Sequence, residues 1–206
     1  MVADASKGMA NMENTRLTWI QTLHTALLPN GELPLPDRMK IRRALQTGEE
    51  AEPDETRWCL LEIATARKVL PIWQASFPQV NFPIRLLDMA EHQLRLACPD
   101  PALEPLFREA KTFFDSSIAE DLLDAISAGF ACWAAARNVL YGCQELVEIS
   151  SELELDIEDW DASFFASCAC SGGAVWEESR GNPVQRREFW LWYIAEARQL
   201  LDSPQL

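Results

Sequence analysis

Apolar residues along this chain recur three and four positions apart, the rhythm of an α-helix buried on one side. Alternating runs of β-branched residues are lacking, and leucine, alanine and glutamate dominate. The pattern predicts about eight helices. The first covers about Glu13 to Leu28 and stops at Pro29-Asn30-Gly31. A short one follows over about Asp37 to Thr47, and a longer one over about Asp54 to Ser76. Pro71 is expected to kink or end the longer helix, because proline lacks an amide donor and crowds the preceding turn. Two more cover about Pro83 to Ala97, stopped by Cys98-Pro99-Asp100-Pro101, and about Ala102 to Phe114.

The stretch Ser117 to Tyr141 is the most hydrophobic. Ile118, Leu122, Ala125, Ile126, Gly129, Trp133, Ala136 and Leu140 line one face, and its second half is apolar almost all round. This predicts a central, buried helix in which Gly129 admits a close neighbour and Gly142 ends the last turn. Glu145 to Asp159 reads either as an acidic loop or as a short helix. Asp159 or Asp161 is placed to cap a helix reaching Ser171, ended by Gly172-Gly173. Asn182, Pro183 and Gln185 then read as N-cap, first helical residue and capping-box variant. Trp190, Tyr193, Ile194, Ala197 and Leu201 form the apolar stripe of that last helix. Trp192 points away from the stripe, and reads either as a ring covered by a neighbouring segment or as an exposed aromatic anchor for a partner. The expected fold is all-α: a single irregular bundle of about eight helices around the Ser117–Tyr141 helix. It would occupy residues 15–203 after a flexible tail over 1–14.

At 206 residues, 48% apolar and with eight tryptophans, the chain can bury a core of its own and is not a disordered segment. Met1 to Asn14 lacks the apolar stretch of a secretion signal, and no apolar run approaches the roughly 20 residues of a membrane span. The six scattered cysteines then read as reduced thiols, and the expected location is the cytoplasm.

Charge sharpens the picture. The net charge is −14, and the 42 residues between Arg137 and Arg180 hold ten carboxylates and no lysine or arginine. Eight of them crowd into one run: Glu145, Glu148, Glu152, Glu154, Asp156, Glu158, Asp159 and Asp161. Such a surface repels nucleic acid and anionic membranes and attracts a protein with a basic surface. The plainer reading is a solvated face that keeps the protein soluble. The clusters Arg38, Lys40, Arg42, Arg43 and Arg186, Arg187 are expected to pair with the protein's own surplus acids.

Motifs of chemistry are sparse. Gly172-Gly173 lacks the spacing of a phosphate loop, and His24 and His92 do not form a metal-binding pair. Residues two apart on a helix point about 200° away from each other, so Cys168-Ala-Cys170 suits neither a shared metal nor a disulfide. No catalytic residue, cofactor or metal is assigned. Arg67 and Arg137 lie on strongly apolar helices and are expected to pair with buried carboxylates; a ligand site would need a concave pocket built around them.

Two stretches carry a resemblance. One is Arg57-Trp-Cys-Leu-Leu-Glu-Ile-Ala-Thr-Ala-Arg67-Lys-Val-Leu-Pro71-Ile-Trp73, followed by Phe77-Pro78 and Pro83; the other is Arg186-Arg-Glu-Phe-Trp190-Leu-Trp-Tyr-Ile-Ala-Glu196-Ala. Both resemble the fifth immunity-protein family of bacterial polymorphic toxin systems, over about Arg38 to Arg198. The resemblance implies a mostly helical protein, encoded beside a toxin gene, that neutralises the toxin by binding it. Together with the charge it suggests a non-enzymatic binder that occludes a basic partner, such as a nuclease toxin, with the acidic run. The alternative is an intracellular adaptor or assembly factor of the same fold that binds another basic protein or peptide.

Overall fold

The computed structural model describes residues 22–49, 52–96, 98–142, 149–177 and 179–203; the side chains of 47–49, 52, 53 and 120 lie outside that description. The proposed tail 1–14 and most of the first expected helix fall outside these residues. What is described of that helix ends in a 3-10 turn, Leu23–Thr25, before the chain reverses at Pro29-Asn30-Gly31. Gly31 has φ +85° there, and a Cβ on it would lie 2.2 Å from the Pro183 carbonyl oxygen. The turn can lie against the last helix only as glycine.

Seven α-helices follow among the described residues: α1 Leu35–Leu45, α2 Thr56–Ser76, α3 Phe82–Leu96, α4 Leu103–Ser116, α5 Leu123–Tyr141, α6 Ala162–Ser171 and α7 Pro183–Asp202. The all-α reading holds, with one addition. Thr47–Glu49 and Glu52–Asp54 pair as a short antiparallel hairpin, in register Thr47↔Asp54. Glycine, glutamate and proline carry that hairpin, so strand propensity gives no sign of it. Pro71 does not end α2, which runs on to Ser76 with the proline ring exposed.

The central helix starts later than the pattern predicts. Ser116 and Ser117 hydroxyls donate to the Phe113 carbonyl at 2.8 and 2.7 Å and close α4. Ile118 is left exposed, a 3-10 turn covers Glu120–Leu122, and α5 begins at Leu123. From Ala125 to Ala136 nearly every α5 side chain is buried. α5 packs chiefly on α2 and α6, with α3 and α4 on its other sides. Gly129 is the point of closest approach: a Cβ there would sit 2.8 Å from Trp73 Cζ3 of α2. Trp73 also meets Phe114 edge-on at 5.2 Å and donates its indole N–H to the Val80 carbonyl at 2.9 Å.

α7 matches its expected start. The Asn182 side chain accepts from the Val184 and Gln185 amides. The capping box is not closed by Gln185, however; the Asn182 amide donates to the Ser171 carbonyl at 2.6 Å, which ties α7 to the end of α6. Among the described residues, no helix is long and apolar enough to cross a membrane.

Candidate functional site

The described part of the acidic run, from residue 149 on, is an extended path with two 3-10 turns, Glu152–Glu154 and Ile157–Asp159, leading into α6. Glu152 and Asp161 turn inward. Arg38 sits on the buried side of α1 with Leu35, Ile41 and Leu45, and is itself fully buried. Its guanidinium pairs with Glu152 through Nη2 and with Asp161 through Nη1, the latter at 3.2 Å. The rings of Trp190 and Phe164 lie 5.1 and 5.5 Å from its centre. A planar guanidinium suits this place because it can engage two carboxylates and still stack on aromatic faces.

Asp161 is also the N-cap of α6. Its Oδ1 accepts from the Phe164 amide and the Ser163 hydroxyl, both at 2.7 Å. Glu62, reaching over from α2 and fully buried, accepts from the Ala162 amide at 2.7 Å. Two carboxylates thus share the positive end of one helix. Burial, and then the charge of Asp161, push the Glu62 carboxyl well above the usual range. Beside them Arg186 donates to the Ser171 hydroxyl at 3.1 Å, the Gly173 carbonyl at 2.8 Å and the Asn30 carbonyl at 3.3 Å, and lies 3.5 Å from Glu32. Burial raises the Glu32 carboxyl to about 7, against the opposing pull of Arg38 and Arg186. Arg38, Glu62, Glu152, Asp161, Glu32 and Arg186 are all shut away from solvent. They act as an interior lock between distant segments rather than as a place where a substrate could enter.

The opposite side of the run faces water. Glu154, Asp156 and Glu158 are exposed and Asp159 is half-buried. The backbone beneath them is held by the rest of the protein. The Trp160 indole donates to the Glu152 carbonyl at 3.1 Å. Arg137 of α5 donates to the carbonyls of Glu158 and of Trp160, and Lys111 of α4 pairs with the Glu158 carboxylate at 3.1 Å. Glu154 accepts from the Ser150 hydroxyl at 2.6 Å and amide at 3.2 Å, which holds its carboxyl below the usual value and therefore charged. Leu153 and Ile157 project between these acids, 67% and 52% exposed.

The eight expected acids therefore divide. Glu154, Asp156, Glu158 and Asp159 share the outer side; Glu152 and Asp161 face inward onto Arg38; Glu145 and Glu148 lie outside the described residues. Trp192 sits apart from this group, half-buried, with Lys68 Nζ 4.5 Å from its ring centre and Phe189 beside it. Sequence reasoning missed Arg38, Glu32 and Glu62 as interior groups. For Arg38 a signal existed, since it falls on the apolar stripe of α1. Four of the six cations in the expected basic clusters pair with internal acids, Lys40 with Asp37 at 2.7 Å and Arg42 with Glu55, besides Arg38 and Arg186, while Arg187 donates to the Leu28 carbonyl at 2.8 Å.

Arg67 bonds Asp88 and Glu91 at 2.9 and 2.8 Å, beside a groove of about 290 Å³ that Arg57, Arg95 and Leu60 also line. These acids are partly exposed, and Arg137 engages backbone carbonyls. Arg67 thus pairs with partly exposed acids rather than with the buried carboxylate expected for it.

No curated protein matches the chain. The family described as Immunity protein Imm5 matches residues 20–199, a span that takes in every helix from α1 to α6, the acidic segment and most of α7. With that match over most of its length, the chain belongs to the Imm5 immunity protein family.

Proposed function

We propose that this protein neutralises a cognate toxin by binding it, and that the contact is made by the outer side of the acidic segment: Glu154, Asp156, Glu158 and Asp159, with Glu145 and Glu148 just before them in sequence. Membership of an immunity protein family is the observation that supports a toxin as partner. The choice of face rests on charge and on rigidity. Three exposed carboxylates and the half-buried Asp159 are carried on a backbone tied to α1, α4 and α5, so little ordering is needed when a partner docks. A surface of one sign speeds encounter with a surface of the other sign and rejects like-charged partners. The partner's docking surface is accordingly basic, as the substrate groove of a nuclease is, and binding blocks that groove. The protein contributes occlusion and no chemistry of its own. Trp192 is left out of the face because Lys68 covers its ring.

The experiment is a binding and protection assay with the toxic domain encoded beside this gene. Wild type should bind and protect, with an association rate that falls as salt rises. Glu154→Gln, Asp156→Asn and Glu158→Gln together should lower that rate and flatten its salt dependence. An unchanged rate and slope would remove the acidic face from the mechanism. The absence of a neighbouring toxin gene would favour an adaptor that binds some other basic protein.

A further inference from the structure

Leu153 has the highest exposure of the exposed large apolar side chains of the described residues, Ile157 is also exposed, and both sit inside the acidic face. They are not on a free end. Leu153 is the middle residue of its 3-10 turn, its amide bonded to Ser151 Oγ at 3.3 Å, and the next two amides return to the Ser151 and Glu152 carbonyls at 3.1 Å. Ile157 opens the second turn, one residue before Glu158, which Arg137 and Lys111 both grip. On α5, Tyr141 packs edge-on against Phe107 and is 57% exposed. Apolar side chains displayed on a fixed backbone and ringed by charge have the make-up of an interface centre: a few anchors that lose water on docking, within a polar rim.

We infer that Leu153 and Ile157 are the apolar anchors of the partner-binding face, and that they insert into an apolar depression framed by lysine or arginine side chains on a basic protein. This rests on the proposed function for the identity of the partner. The commitment to a cationic partner comes from the flanking Glu154, Asp156 and Glu158: a second copy of this chain would place the same carboxylates against each other. In this arrangement the acids govern how fast the complex forms and the two aliphatic residues govern how long it lasts.

The test uses the full chain and an inactivated form of the toxic domain from the adjacent reading frame, with rate constants measured by surface plasmon resonance. Leu153→Ser and Ile157→Ser should each raise the dissociation rate about tenfold or more while leaving the association rate within twofold. Unchanged unfolding midpoints would show that the variants are folded. Dissociation rates equal to wild type, with the charge variant still slowing association, would overturn the anchors and leave the acidic face standing. Failure of the wild-type chain to bind the toxic domain would overturn both. Sedimentation velocity of the chain alone gives the remaining outcome: a wild-type dimer that Leu153→Glu converts to monomer would show that a second copy covers this face, which also overturns the inference.

Discussion

Arg38 and Asp161, 123 positions apart in the chain, meet at 3.2 Å inside the protein. The same guanidinium holds Glu152, so one residue of α1 fixes both ends of the segment whose outer side carries the candidate interface. Arg38→Met should therefore do more than remove a contact. It leaves two buried carboxylates without their counter-charge, a change that costs about 3–5 kcal/mol. Urea denaturation should show that loss, and hydrogen exchange should quicken at the Glu154 and Leu155 amides. Adding Glu152→Gln and Asp161→Asn should recover part of the stability, because the unpaired charges are then gone. Arg38→Lys should rescue poorly, since an ammonium cannot span both carboxylates while stacking on Trp190.

The raised carboxyl of Glu32 has a definite consequence for pH. The group ionises near 4.5 in the unfolded chain and near 7 in the folded protein. Between those values the folded state binds the extra proton, so raising the pH through this window lowers stability, and the loss levels off above about 7. The size is roughly 3 kcal/mol. Glu62, also raised by burial, acts in the same direction. Glu32→Gln should fall less than wild type between pH 5 and 8, by an amount of that order, in urea titrations at the two pH values. Equal declines in the two proteins would mean that Glu32 is ionised in the folded state across the range.

Much of the frame was legible because its signals are local. Asn182-Pro183 starts α7, Asp161 caps α6, and the spacing of apolar residues marks the buried face of α5. The break before α5 was hidden because it depends on two serine hydroxyls competing for one carbonyl, while Ile118 and Leu122 kept the helical spacing intact. The hairpin at 47–54 has no strand-forming composition at all. The acidic run was the hardest to read. Its residues look alike in sequence, and what turns Glu152 and Asp161 inward is an arginine more than a hundred positions earlier. The outer carboxylates and the exposed Leu153 and Ile157 are what that long-range pairing leaves over.

Gly129 gives a compact test of the core. Alanine is ordinarily favoured over glycine in a helix by about 1 kcal/mol. Here the added methyl would lie 2.8 Å from Trp73 Cζ3 and 3.0 Å from Phe114 Cε1, inside a stack of rings with little room to move. Gly129→Ala should destabilise by about 1–3 kcal/mol, the usual cost of overpacking. Thermal unfolding measures it, and a stabilised variant would show that Trp73 can shift aside.

Arg137 offers a way to loosen the candidate interface without touching its charge or the Arg38 lock. Its guanidinium donates to the carbonyls of Glu158 and Trp160 and to the Asn138 side-chain oxygen. Arg137→Ala should cost about 1–3 kcal/mol, the range for a hydrogen bond from a charged donor. The larger effect should be dynamic. With this latch gone, the second 3-10 turn is held by Lys111 and its own backbone bonds, and the Asp159 and Trp160 amides should exchange faster. If the face works by being rigid before its partner arrives, binding to the toxic domain should weaken although every acidic side chain remains. The salt dependence of association should change only slightly, because one buried-edge cation has been removed and no carboxylate. Faster exchange with undiminished affinity would mean that docking tolerates a mobile segment, and that the pinned backbone serves the fold rather than the encounter.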